Sequence, residues 1–193
     1  MEKFTKMKDK KQIIEEDLIF NGKNIDIIKY KDSEIIKSKD KVAILPYFRD
    51  ESTFLMLLEY LPTYQYKNKE SKYRNITNYL TTITGTIEEN ETVEQTIRRE
   101  LYEEGGIVLN NLYNFEYDGP FFLTKNNTTQ IWTCLVELPV NSYKQIKPPT
   151  DGSKKEKLSS IINVSIGDIN QIIHNDLVTK YLIDKLINRI ANL

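Results

Sequence analysis

Residues 85–107 read GTIEENETVEQTIRRELYEEGGI, and the reading of the whole chain follows from this stretch. Thr92 and Gln95 make a T-x-x-Q pattern, the capping box that starts a helix. Val93, Ile97 and Leu101 follow at i, i+4 and i+8, which lays one apolar stripe along that helix. Gly105 and Gly106 supply a stop, because glycine takes the left-handed conformation that closes a helix. The spacing predicts a helix over 93–104 and a loop over 85–90 leading into it.

Glu100, Glu103 and Glu104 stand at i, i+3 and i+4, so their carboxylates share one face of the last turn. Like charges repel at this spacing, and they lie at the end of the helix dipole that favours cations. Each penalty is about a few tenths of a kcal/mol or more. Stability alone does not select such a pattern. A bound divalent cation reverses the sign of the argument, and hard oxygen donors on a short arc suit Mg²⁺, with Mn²⁺ as its substitute. The plain alternative is a solvated acidic helix end.

The full spacing argues against that alternative. Gly85, five residues, Glu91, seven residues, Arg99-Glu100-Leu101, one residue, Glu103-Glu104, one residue, Gly106-Ile107 resembles the Nudix box at its fixed positions. The resemblance implies that Glu100, Glu103 and Glu104 hold metal, with the carbonyl of Gly85 often joining them. It also implies that Arg99 ties the motif together by pairing with Glu91, and that Gly106 is a structural position. Thr96 stands where Ala is common in the family, and Gly105 where Thr or Val is common. Neither is a fixed position.

Composition bounds the remaining possibilities. At 193 residues, with 39% apolar residues, one domain with one real core is expected. The net charge of −1, with both signs scattered along the chain, gives no basic field for an extended nucleic acid. The heavy use of Ile, Asn and Lys reads as an AT-rich genome. The single cysteine, Cys134, excludes an intrachain disulfide and a thiolate zinc site. The single histidine, His174, has no histidine partner and is not expected to catalyse. Three glycosylation sequons, at Asn75, Asn126 and Asn163, follow from the abundance of Asn in a chain without a secretory signal. No stretch reaches the length of a membrane span, and the chain reads as cytoplasmic.

Taken in order, residues 1–12 are charged and expected to fray. Residues 18–20 lead into Asn21-Gly22, a hairpin signal, and strands are expected at 25–30 and 33–37. Such strands resemble the N-terminal sheet of ADP-ribose pyrophosphatase-type Nudix enzymes, where this region often builds a homodimer. The expected division is therefore 1–40, an N-terminal tail and antiparallel strands, and 41–193, the Nudix domain. Apolar strands are expected at 41–47 and 53–60, joined by a turn at Arg49-Asp50-Glu51.

Residues 61–78 form a long polar loop interleaving Tyr64, Tyr66 and Tyr73 with Lys67, Lys69, Lys72 and Arg74. Aromatic faces there could stack a base and cations could meet phosphates, which makes Tyr60, Tyr64 and Arg74 candidates for substrate contact. A strand at 80–84 delivers Gly85 to the motif. Strands are expected at 113–117 and 121–124 around Asp118-Gly119-Pro120, and at 130–138, where Trp132 is read as core. A second long loop, 141–157, carries Asp151 and Glu156. The resemblance implies that a glutamate on this loop assists the attacking water; Glu156 is the first candidate and Asp151 the second. A strand at 158–164, a short helix at 166–173 and an amphipathic helix with Leu177, Tyr181, Leu182, Leu186 and Ile190 on one face close the chain.

The fold class is α/β, and the resemblance implies an α/β/α sandwich around a mixed sheet with a small N-terminal antiparallel sheet. The implied reaction is metal-dependent hydrolysis of a nucleoside diphosphate joined to another group. Metal would neutralise the diphosphate, and a free carboxylate, Glu103 or Glu156, would take the proton of the attacking water. ADP-ribose or a nucleotide sugar comes first, by analogy with the N-terminal strands and the chain length. A (d)NTP, NADH, a dinucleoside polyphosphate, an mRNA cap or an inositol pyrophosphate are the alternatives, the last two disfavoured by the near-neutral composition. A silent nucleotide sensor of the same fold, or a purely structural protein, would need the carboxylates to be idle.

Overall fold

The computed structural model describes residues 17–49, 52–59, 79–109, 116–138, 144–145, 159–171 and 176–191. The strand β4 (Lys41–Phe48) is its axis. From Val42 to Phe48 every residue of β4 is buried, as a strand covered on both faces requires. Its alternation separates two cores. Val42, Ile44 and Phe48 face one way with Ile83, Ile97, Leu101, Cys134 and Val136. Ala43, Leu45 and Tyr47 face the other way with Phe54, Met56, Leu135, Leu182 and Leu186. The helix α1 (Val93–Glu103) covers the first core and α2 (Leu177–Ala191) the second. The protein is thus an α/β/α sandwich.

Its main sheet has seven strands. β4 runs parallel to β10 (Gln130–Glu137), and β10 runs antiparallel to β9 (Glu116–Phe122) at one edge. On its other side β4 changes partner along its length. It pairs with β7 (Ile83–Thr86) over 41–44 and with β5 (Thr53–Glu59) over 47–48. Pro46, which has no N–H to give a ladder, sits in the gap between these two pairings. β5 in turn pairs with β6 (Tyr79–Thr81) and with β12 (Ser160–Ser165). A small sheet of β1 (Asp17–Asn21), β2 (Asp26–Tyr30) and β3 (Ser33–Lys37) precedes the sandwich. It is stitched on by Ile36 N–H to Asn126 O (2.8 Å) and Thr128 N–H to Ile36 O (2.9 Å).

Several expectations needed correction. The strand read at 80–84 is two strands, broken at Thr82, and Gly85 and Thr86 lie in β7 rather than in the motif loop. The cause is pairing: Val42 faces Gly85 and Lys41 faces Thr86. Asp118-Gly119-Pro120 is not a turn between strands. β9 runs straight through it, and the register against β10 slips by one residue there, so the Gly-Pro pair is absorbed as a bulge. The helix after β12 is 3₁₀, spanning Ile166–Gln171.

Within the stretch read as a loop at 141–157, Lys144–Gln145 form a short strand, β11, paired with β8 (Ile107–Val108). In α2 the buried stripe is Thr179, Leu182, Ile183 and Leu186, at the spacing of one helical face. Leu177 is 86% exposed, and Tyr181 turns outward to β9, where its ring meets Phe121 edge-on and its hydroxyl donates to Asp118 (3.1 Å). Lys185 pairs with the same Asp118 at 2.7 Å and holds its carboxyl below the usual range.

The readings at residues 1–12, Asp50-Glu51, 60–78, 113–115, 141–143, 146–158 and 172–173 fall outside the described residues, as does His174. No described helix is long and apolar enough to cross a membrane.

Candidate active site

The motif helix is positioned at both ends by its own sequence. Thr92 Oγ1 accepts from Gln95 N–H (3.2 Å), and Gln95 Oε1 accepts from Thr92 N–H (2.8 Å), closing the capping box. Ile97 and Leu101 are fully buried against the β4 face, which fixes the helix's rotation. Gly106 takes φ +61°, the left-handed turn that ends the helix and directs Ile107 back into the core. With that rotation fixed, Glu100 is turned inward and Glu103 outward. Glu104, at the cap, is directed toward β7.

Glu100 is 6% exposed and lies against Gly85. A Cβ at position 85 would sit 2.0–2.1 Å from the Glu100 carboxyl, so the missing side chain of Gly85 is the space that carboxyl occupies. Glu104 Oε2 accepts from Thr84 N–H (3.3 Å) in the same strand. The side chain of Glu103 is half exposed. Glu100, Glu103 and Glu104 line one cleft of about 360 Å³ with Gly85, Thr84, Thr86, Glu88 and Lys41.

Arg99 braces this cleft. It forms a two-pronged pair with Glu91, Nε to Oε1 at 2.8 Å and Nη2 to Oε2 at 2.9 Å, and Nη2 also donates to Thr86 O (2.8 Å). Its Nη1 reaches Glu100 (2.5 Å) and Glu103 (3.0 Å). Hydrogen bonding to Glu91 raises the Arg99 pKa beyond its already high value. The same bond holds the Glu91 carboxyl at about 2. Burial pushes Glu100 up, against the pull of the Arg99 charge.

Thr96 also serves this knot. It is buried, and its hydroxyl donates to Glu91 Oε2 (3.0 Å). The sequence marked it only as a departure from Ala. Its position four residues after the cap, facing back toward Glu91, was the available signal. Thr84, through its N–H, and Lys41 and Glu88, on the cleft wall, were not picked out from sequence at all.

Because Glu91 titrates lower in the fold than its ordinary 4.5, it contributes stability above about pH 4.5 that fades as pH falls toward 2. Glu91→Gln is therefore expected to lower stability by about 1.5–3 kcal/mol at pH 7, the scale of a hydrogen bond to a charged partner. The gap to wild type should close as pH approaches 2. Thermal melts across that range check it, and a gap that stays constant with pH would contradict it.

Among the described residues no three acidic, histidine or cysteine side chains are gathered closely enough to enclose a metal ion. Arg99 is the cation that lies between Glu100 and Glu103, and Glu104 is drawn to the β7 backbone. The donor set still fits a hard divalent ion: three carboxylates line one cleft, with the backbone of Gly85 on its wall and space for the carboxyl of Glu100. Glu156, Asp151, Tyr60, Tyr64 and Arg74 lie outside the described residues.

A family model for the NUDIX domain matches residues 38–171, more than two thirds of the chain and the whole of this site. The chain belongs to the Nudix family. A search of curated proteins finds no match. A Nudix domain implies a hydrolase of phosphorus anhydrides acting on nucleoside diphosphate derivatives, that is, on a small-molecule nucleotide substrate. Enzymes of the family generally use divalent metals such as Mg²⁺. The matched span takes in β4 to β12, so all three strands of the β1–β3 sheet lie ahead of the Nudix match.

Proposed function

We propose that this Nudix protein hydrolyses the diphosphate of a nucleoside diphosphate linked to a second group, with ADP-ribose or a nucleotide sugar as first choice. The observation that supports it is the cleft in which Glu100, Glu103 and Glu104 stand over the side-chain-free Gly85. Glu100, Glu103, Glu104 and the Gly85 carbonyl would hold Mg²⁺, or Mn²⁺ in its place. The ion supplies neutralisation of the diphosphate and a more acidic attacking water.

The chain's own residues do the rest. Glu91 and Thr96 lock Arg99, and Arg99 sets the position of Glu100 and Glu103. Glu103, with its half-exposed carboxylate, takes the proton from water as the oxygen bonds to one phosphorus. The bridging P–O bond breaks, and its electron pair leaves with the other phosphate. The products are a nucleoside monophosphate and a phosphorylated remainder. Glu156 is the second candidate for the proton, and Tyr60, Tyr64 and Arg74 for contacts to the nucleoside.

A panel of ADP-ribose, nucleotide sugars, NADH, dinucleoside polyphosphates, (d)NTPs and a cap analogue, with Mg²⁺ or Mn²⁺ and with products resolved, tests this reading. Metal-dependent release of a nucleoside monophosphate from ADP-ribose or a nucleotide sugar is expected. Metal-dependent binding of nucleotide without any turnover would replace the hydrolase by a sensor. A homodimer through the N-terminal sheet fits the exposure of Leu18, Ile19 and Phe20, each 50% or more, on β1. A molar mass of one chain in light scattering would remove it. A cytoplasmic setting suits such substrates and the single buried thiol, Cys134, which burial pushes up to about 12.

A further inference from the structure

A second cleft, of about 650 Å³, lies between the N-terminal sheet and the acidic cleft. The two share Lys41, Thr86 and Glu88, so they are continuous at that wall. The character of the second cleft is opposite to that of the first. Lys23, Lys37, Lys39 and Lys41 line it against two acidic side chains, Asp26 and Glu88. Glu88 is paired with Lys39, and Asp26 accepts from the Asn21 amide (3.1 Å).

Lys41 is the informative residue. It opens β4 and lines the acidic cleft beside Glu88, Glu100, Glu103 and Glu104, yet it makes no ion pair with any of them. Lys23 likewise has no ion pair or hydrogen bond among the described residues. Lysines placed to balance the carboxylates would pair with them. One lysine at the junction of the two clefts and another farther along the second, both uncommitted among the described residues, fit an anion that extends from one cleft into the other. Among the described residues no aromatic ring lines the second cleft. Stacking on aromatic faces is a chief means of holding a base, so the wall suits a hydroxyl-bearing anion better than a nucleobase.

We propose that the lysine-lined cleft is the subsite for the non-nucleoside half of the substrate, a sugar phosphate, with Lys41 positioning the phosphate where the two clefts meet and Lys23 facing the sugar side. The nucleoside then lies on the far side of the carboxylates. This rests on the reading of the acidic cleft as the place where the diphosphate is cut. It assigns the N-terminal sheet a part in substrate binding within its own chain.

The test uses the full-length protein without added metal, and two probes, ribose 5-phosphate and AMP, in titration calorimetry. In Lys23→Gln/Lys41→Gln the Kd for ribose 5-phosphate should rise about tenfold or more, the scale of losing charge-assisted hydrogen bonds, while that for AMP changes less than about twofold. The single variants should each show part of the loss, and Lys41→Arg should retain most of the affinity. Equal losses for the two probes, or unchanged ribose 5-phosphate binding, would overturn the subsite. Both lysines are surface residues whose replacement leaves the core intact, and a thermal melt of each variant verifies it. Lysine-dependent binding of ribose 5-phosphate by a protein that hydrolyses none of the nucleotides would uphold the subsite and remove the hydrolase reading instead.

Discussion

Replacing Glu100 and Glu104 together by Gln is expected to lower kcat on the preferred nucleotide by about 10³-fold or more, with the fold intact. Electrostatic stabilisation by a bound metal is worth several kcal/mol in the transition state, and each 1.36 kcal/mol is tenfold in rate. The fold has little reason to suffer. Glu100 is buried at a cost that raises its pKa, and Arg99 keeps its two-pronged bond to Glu91 without it. Gln at 104 can still accept from Thr84 N–H, the bond that Glu104 makes now. A melting temperature equal to or above that of wild type, together with lost turnover, is the signature of a site held at the expense of stability. Steady-state kinetics with Mg²⁺ and a thermal melt decide it. Turnover within about tenfold of wild type would remove these two carboxylates from the chemistry.

Gly85→Ala is expected to cost about 10²-fold in kcat while changing stability little. The new Cβ would fall 2.0–2.1 Å from the Cγ, Cδ and Oε1 of Glu100, so one of them must move. The atoms that would give way are the far end of a side chain, which can rotate. β7 is held by its pairing with β4 and is the stiffer party. The displaced carboxylate then no longer holds its place in the cleft that Glu103 and Glu104 also line. Misplacing a reacting group by about 1 Å can cost on the order of 10²-fold. Loss of activity without loss of melting temperature would locate the need for glycine in the room it leaves for Glu100. Full activity would show that the carboxyl does not work from the position it holds here.

The local elements were legible because their signals are local. The capping box at Thr92 and Gln95, the stripe of Val93, Ile97 and Leu101, and the continuous apolar run of β4 each depend on neighbours a few residues away. Errors arose where pairing with a distant strand overrode a local cue. Asp118-Gly119-Pro120 has turn chemistry, yet pairing with β10 carries the strand through it. Thr82 breaks a run that reads as one strand because β6 must follow β5 and β7 must follow β4, and those two hosts diverge. Leu177 and Tyr181 read as core by apolarity alone, but they fall off the face that α2 buries.

The sequence by itself determined which acidic residues share a helix face and where that helix begins and ends, because helical period and capping are set within one turn. Tertiary structure decided the rest. It alone turned Glu100 into the space above Gly85, drew Glu104 to the β7 backbone, and set Lys41 on a wall common to two clefts. Gly85 and Lys41 meet the motif helix across strand pairings between residues more than forty positions apart, and no local period encodes a contact of that kind.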